Sequence, residues 1–253
     1  MEVDTYNKKY AMYYDLFNKK KNYSNESNFL DMIFNKYSKT KVNSILNLGC
    51  GTGEHERVLS SRGYKITGID LSENMIEIAK SKNIPNTEFF VGDMSNFNLN
   101  KKFDACIIMF AAIDYLIENS QITSALKSVK EHLKPNGLFI IDCWNALGVL
   151  HELPSSRISS AEEGDIQIKR TSFPKLDRTK NLCDVNFKVK IYKKGKLIDS
   201  YEENHKVRYF FPDEMKSFLE KSGYEVIKIC KSFDLNSEAD ENAWNMTLIS
   251  KLD

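Results

Sequence analysis

From Val42 onward the chain alternates short apolar runs with longer amphipathic stretches, and this alternation constrains the fold more than any other feature. Residues 44–48, 65–69, 87–91, 105–110 and 138–142 have strand length and composition, with room for helices between them. Strands separated by helices form βαβ crossovers, which predicts an α/β fold on a mainly parallel sheet. Asn83-Ile84-Pro85-Asn86 and Pro135-Asn136-Gly137 break the chain before the third and fifth strands. Residues 213–222 place Met215, Phe218 and Leu219 on one helical side, with Gly223 as a C-cap. Residues 224–230 and 244–250 read as two closing strands.

Residues 155–210 change character. Alternating β-rich patterns in 165–170, 184–192 and 200–210, with a hairpin turn at Lys194-Gly195-Lys196, predict an antiparallel insertion. Near the start, residues 28–37 carry apolar positions 29, 30, 32, 33 and 34 on the core side of a helix that can fold back as a lid. Tyr10-Ala11-Met12-Tyr13-Tyr14-Asp15 and Lys21-Asn22-Tyr23-Ser24-Asn25-Glu26 offer no helical explanation for so many tyrosines. Aromatic hydroxyls suit a partly wet binding site, and plain packing is the alternative. The expected division is one domain over 1–253: a helical lid 1–41, a core 42–150, the insertion 151–211, and a closing helix and strand pair 212–253.

Thirty-six basic against thirty-five acidic residues leave a net charge of +1, without the positive field that nucleic-acid binding relies on. The longest apolar stretch, residues 105–113, is too short for a bilayer, which needs about twenty residues. The start Met1-Glu2-Val3-Asp4-Thr5-Tyr6 has no basic region leading into an apolar one, so a cytoplasmic location is expected. The five cysteines include no C-x-x-C pair and read as small buried hydrophobes. No His/Cys/Asp cluster has metal-ligand spacing and no G-x-S-x-G elbow occurs, so metalloenzyme and hydrolase readings fall away.

Asn47-Leu48-Gly49-Cys50-Gly51-Thr52-Gly53 follows a strand and opens a helix, where small residues let a ligand approach backbone N–H donors. A dinucleotide fingerprint needs glycine at the position of Glu54, which argues against NAD. Asp70 ends the second strand beside the loop, where it can accept both ribose hydroxyls or cap a helix. Gly92-Asp93-Met94 offers a carboxylate for an exocyclic amine and a thioether for an adenine face.

The combination of 49–53, 70 and 93 resembles the motifs of class I S-adenosylmethionine-dependent methyltransferases, from about Val42 through Asp142 and again at the C-terminal strand pair. The resemblance implies a Rossmann-like, mainly parallel seven-stranded sheet with an antiparallel C-terminal strand pair. It also implies S-adenosyl-L-methionine as cofactor and S-adenosyl-L-homocysteine as product. The implied cofactor residues are Tyr14, Tyr23, Asn47, Gly49, Cys50, Gly51 and Gly53, then Asp70, Leu71, Met75, Gly92, Asp93, Met94 and Met109. Asn47 departs from the family, which usually has Asp or Glu there to help hold the methionine ammonium.

Ligands of open α/β sheets lie beyond the carboxyl ends of the strands, so Met109-Phe110-Ala111-Ala112-Ile113-Asp114-Tyr115 should face the transferable methyl. Tyr115 or Asp114 can orient an acceptor, or Tyr115 can simply pack with Leu116. Together with the N-terminal tyrosines and His205-Lys206-Val207-Arg208-Tyr209-Phe210-Phe211-Pro212, this segment resembles the methyltransferases that act on nucleotide-linked amino-deoxysugars. That resemblance implies that Tyr14 and Tyr23 close over the cofactor and that the insertion forms a sugar-nucleotide pocket or a dimer surface. Monomer and homodimer both remain open. The catalytic candidates are Tyr14, Asp114, Tyr115 and His205. The alternatives place His205 and Arg208 on an exposed strand, Trp144 in the core and Asp142 merely at a strand end.

Methylation of a sugar amine is the leading reading, since a neutral amine needs orientation more than a strong base. A hydroxyl acceptor would need a base such as Asp114, Asp142, His151 or His205. A non-catalytic adenosyl-cofactor-binding protein and an NAD-dependent oxidoreductase are the remaining alternatives.

Overall fold

The computed structural model describes residues 8–252, so the expectation drawn from Met1 to Tyr6 lies outside it. Strands β1 (Ser44–Leu48), β2 (Lys65–Asp70), β3 (Thr87–Val91), β4 (Phe103–Ile108) and β5 (Leu133–Trp144) pair in parallel. Alternate residues serve opposite faces, which is why these strands are apolar throughout. Leu46, Leu48, Cys106, Ile108 and Phe139 pack with α5 (Asn119–His132) and α7 (Pro212–Lys221). Ile45, Ala105, Ile107 and Ile140 pack with α2 (Tyr23–Tyr37) and α3 (Glu54–Ser61). Strands β10 (Tyr224–Lys231) and β11 (Asn245–Leu252) close the sheet antiparallel, giving the seven-stranded order β10-β11-β5-β4-β1-β2-β3.

A second, four-stranded antiparallel sheet has the order β6 (Arg157–Glu163), β7 (Ile166–Asp177), β8 (Leu182–Lys193), β9 (Lys196–Arg208). The β8–β9 turn is Lys194-Gly195, both at positive φ, as a tight hairpin requires. Strand β6 escapes the sequence pattern because it is almost wholly exposed and rich in Ser and Glu, and its ladder to β7 holds it in the sheet.

Two expectations need correction. Strand β5 starts at Leu133, not after Gly137: Pro135-Asn136-Gly137 is a bulge within it, where the register with β4 jumps from Phe103↔Leu133 to Ala105↔Leu138. The tyrosine-rich stretches do have a helical explanation, since α1 (Lys8–Phe17) contains Tyr10, Tyr13 and Tyr14 and α2 opens at Tyr23. Tyr10 and Ala11 bury against Met75 of α4 (Glu73–Ser81), while Tyr13 and Phe17 pack on Ile168, Val189 and Ile191 of the second sheet. Those partners lie far away in sequence, so local periodicity could not reveal them. Helix α2 likewise begins earlier than residue 28, because the Asn22 side chain accepts from Asn25 N–H at 3.0 Å as an N-cap.

No helix among the described residues is long and apolar enough to cross a membrane. All five cysteines are free and buried, as their apolar settings implied.

The loop before β11 is pinned by one side chain, Asn145, which precedes α6 (Ala146–His151). Its Nδ2 donates to the carbonyls of Ala239, Asp240 and Ala243, and its Oδ1 accepts from Leu147 N–H. Asn145→Ala should therefore destabilise the fold by about 2–4 kcal/mol, read from the midpoint of denaturant unfolding.

Candidate active site

Three glycines at positive φ, Gly49, Gly51 and Gly53, turn the chain from β1 into α3. A Cβ on Gly49 would lie 2.5 Å from the Ala112 methyl, so the loop can touch the β4 exit only with glycine there. At Gly51 the space is open, with Tyr14 as the nearest neighbour at 3.9 Å. Gly49 and Cys50 N–H both donate to Ile69 O, at 2.8 and 3.1 Å. The Asp70 carboxylate accepts from Gly51 N–H at 2.8 Å on one oxygen and from Ser72 N–H at 2.9 Å on the other. Burial pushes its pKa up against the pull of these donors. The Cys50 thiol is also raised by burial, which leaves it an inert packing group.

Around this cradle the other expected contacts divide. The Met94 methyl lies 3.6 Å from the position a Gly49 Cβ would take, and Leu71 is exposed beside it in sequence order after Asp70. Asp93 is exposed after Gly92 and holds Ser95 N–H and Oγ at 2.8 Å each. Met75 and Met109 are fully buried, the first under α1 and the second in the core beneath β4.

Beneath the loop, Asn47 Nδ2 donates to Glu56 Oε1 at 2.6 Å. Both residues are buried, and burial pushes Glu56 up to about 7 despite the Asn47 hydrogen bond. Sequence reasoning missed Glu56 because an acid in the first turn of a helix is ordinarily explained by the helix dipole.

The N-terminal helices close over the same loop. Thr52 Oγ1 donates to Asp15, and Lys82 bridges Asp15 at 2.7 Å and Glu54 at 2.8 Å. The Tyr23 ring meets His55 edge-on at 5.0 Å, and His55 Nε2 lies 2.7 Å from Glu26, which also pairs with Lys21 at 3.2 Å. Burial would raise the Glu26 carboxyl, but the His55 hydrogen bond and the Lys21 charge hold it below its ordinary value. The Lys21 ammonium, lowered by burial, sits 3.4 Å from the centre of the Phe110 ring. Lys21, Glu26 and His55 carried no motif signal of their own.

At the β4 exit, Phe110 and Ala111 are consecutive non-glycine residues at φ 57° and 58°, a costly geometry kept where surroundings enforce it. Asp142 Oδ2 accepts from Ala111 N–H at 3.2 Å and so holds this turn, and burial raises Asp142 to about 6. Asp114, in the short 3-10 turn Ala112–Tyr115, has no exposed surface. It accepts from Trp144 N–H at 3.1 Å, and burial holds its pKa well above the usual range, which makes it a structural clasp rather than a base facing an acceptor. Tyr115 does more than pack with Leu116, because its hydroxyl lies 2.6 Å from His205 Nδ1. His205 is enclosed by the rings of Tyr10 and Phe187 at 5.5 and 5.0 Å, with Glu203 at 3.6 Å from Nε2. His205 and Arg208 are therefore buried, not on an exposed face. Arg208 binds Ile117 O, Asn119 and Glu214 as a fold clamp. Trp144 is half-buried against Trp244, and His151 is exposed on α6, away from this cluster.

An open glycine cradle, a carboxylate at its edge and an aromatic vestibule beyond it fit an adenosyl amino acid. Residues 45–137 match a family described as a methyltransferase domain. The chain is 30% identical over 193 residues to the protein named "Putative methyltransferase YqeM" from Bacillus subtilis (strain 168), covering 75% of this chain and 76% of that protein. The chain belongs to the S-adenosylmethionine-dependent methyltransferases. It is also 27% identical over 229 residues, 87% of this chain and 86% of the other, to dTDP-3-amino-3,6-dideoxy-alpha-D-glucopyranose N,N-dimethyltransferase of Streptomyces fradiae. The crystal structure of an S-adenosylmethionine-dependent methyltransferase from Clostridium acetobutylicum ATCC 824 has the same fold, with TM-score 0.81, 20% identity and 98% of both chains covered. This membership removes the oxidoreductase and non-catalytic alternatives.

In this methyltransferase, Asp70→Ala should weaken S-adenosylmethionine binding by about 1.5–3 kcal/mol, roughly 10- to 150-fold by calorimetry, through loss of the carboxylate that holds Gly51 N–H at the edge of the cradle. Gly51→Val should still reach a folded state by circular dichroism, with a lowered melting temperature from the strain of a β-branched residue at positive φ, yet show no cofactor binding, because its side chain would fill the space beneath Tyr14.

Proposed function

We propose that the methyltransferase transfers its methyl group to the amine of a nucleotide-linked amino-deoxysugar, with Tyr14 and Tyr23 of the N-terminal helices closing over the cofactor. The observation that carries this reading is the Phe110 face at the β4 exit, where the Lys21 ammonium already rests at 3.4 Å. Such a face stabilises the positive charge that builds on an amine nitrogen as it takes the methyl, a charge that a hydroxyl losing its proton to a base during attack does not develop to the same extent. The Streptomyces fradiae relative, which by its name dimethylates a nucleotide-linked amino sugar, supports the same acceptor class.

The bound cofactor supplies an electrophilic methyl on a sulfonium. The chain's own contribution is placement: Asp70 and the glycine loop hold the adenosyl end, and Tyr115 with His205 orients the acceptor beside Phe110. An amine acceptor held there would offer its lone pair to that methyl, leaving S-adenosyl-L-homocysteine, and once methylated would release a proton. In this reading the proton passes to the Tyr115–His205 pair, whose hydroxyl and imidazole nitrogen are 2.6 Å apart.

The same Tyr115–His205 contact, with Glu203 behind it, favours one competing reading, base-assisted methylation of a hydroxyl. Paired nucleotide sugars differing only in amine versus hydroxyl separate the two when product is followed by mass spectrometry. The amine sugar should be methylated, kcat/KM should rise with pH until the acceptor amine is deprotonated, and Tyr115→Phe should lower the rate modestly. Methylation of the hydroxyl sugar alone, lost in His205→Ala, would replace the amine reading.

A further inference from the structure

Two oxygens beneath the glycine loop are buried without a hydrogen-bond partner, Asn47 Oδ1 and Glu56 Oε2. Their residues are joined by the 2.6 Å hydrogen bond from Asn47 Nδ2 to Glu56 Oε1, so amide and carboxylate form one unit with two acceptors to spare. Unused acceptors in an interior are costly, and a carboxylate there more so. The unit lies at the C-terminal end of β1 and the first turn of α3, the two elements the cofactor loop connects. These two oxygens lack a donor and the carboxylate a counter-charge, and an ammonium brings both.

We propose that Glu56, acting through Asn47, supplies the negative charge that positions the α-ammonium of the cofactor's methionine moiety, a task an amide at position 47 cannot perform alone. Glu56 is thus a positioning residue, and the inference rests on the assignment of the loop as the cofactor site. The groups around it are Asp70 of β2, Lys82 beyond α4, Cys50 in the loop and Tyr23 of α2, with Glu54 and His55 beside it in α3. Lys82 is already engaged by Asp15 and Glu54, which leaves the ligand's ammonium as the cation for Glu56.

Burial holds Glu56 at about 7, so it is neutral below that pH and charged above it. Ligand binding that prefers the charged form must strengthen as pH rises toward about 7 and level off beyond it. In the apoprotein the sign is opposite. A carboxyl whose folded pKa exceeds its unfolded value opposes folding once ionised, so Glu56→Gln should unfold at an equal or higher temperature than wild type at about pH 8.

The test uses calorimetry from about pH 5.5 to about pH 8 with two probes, S-adenosylhomocysteine and methylthioadenosine, which shares the adenosine and sulfur but lacks the amino acid. Wild type should bind S-adenosylhomocysteine more tightly as pH rises, by up to about tenfold per unit below pH about 7. Glu56→Gln should bind it about 10- to 30-fold more weakly at about pH 8, lose the pH dependence, and bind methylthioadenosine as wild type does. Asn47→Asp with Glu56→Gln, which moves the charge back to the strand, should restore affinity to within about threefold. Unchanged S-adenosylhomocysteine affinity in Glu56→Gln, or equal losses for both probes, would overturn the proposal. If wild type bound neither probe, the cofactor-site assignment itself would fall, and this inference with it.

Discussion

The approach of Gly49 to Ala112 is the contact on which the site depends, because a Cβ at Gly49 would lie 2.5 Å from the Ala112 methyl. Only a loop that turns this tightly can bring the end of β1 against the exit of β4. The glycine cradle lies on one side of that seam and the mouth of the β4 exit on the other. Asp70 holds the cradle side through Gly51 N–H, and Asp142 holds the mouth side through Ala111 N–H. Asp142 is fully buried and Asp70 half-buried, and each accepts from N–H donors that would otherwise be unpaired. The strained pair Phe110 and Ala111 persists because its surroundings fix it from both ends.

Desolvation organises the charges around that seam. It raises Asp70, Asp114, Asp142 and Glu56, and lowers Lys21 and His55. Glu26 moves the other way because His55 and Lys21 both face it. The four raised carboxyls therefore keep their protons to higher pH than exposed ones, while the Lys21 ammonium rests on the Phe110 ring. A cationic ligand beside them favours their ionised forms and lowers those pKa values again.

The second sheet contributes through α1. That helix has little to bury against the main sheet alone, and its tyrosines find partners on β7, β8 and β9 and on α4. Tyr10 receives a hydrogen bond from Arg170 of β7 at 3.1 Å and stands beside His205 of β9, so helix and sheet together enclose the His205 ring. Tyr14, one turn further along α1, is thereby held over Gly51.

Short-range chemistry made much of this legible in the chain itself. Strand periodicity, the glycines at 49, 51 and 53 and the acid ending β2 all act over a few residues, so their spacing alone determined the α/β core and its cofactor loop. The exposed strand β6 left no apolar pattern to read, and the helical role of Tyr13 and Phe17 depended on partners more than a hundred residues away. Asp114 and His205 were equally plausible as bases in the sequence, and packing alone separated them, turning one inward to Trp144 N–H and the other to Tyr115. The Asn47–Glu56 pair and the Lys21–Phe110 contact belong wholly to the tertiary structure. Burial and long-range proximity set the charge state and partner of each group, and neither quantity is encoded in local spacing.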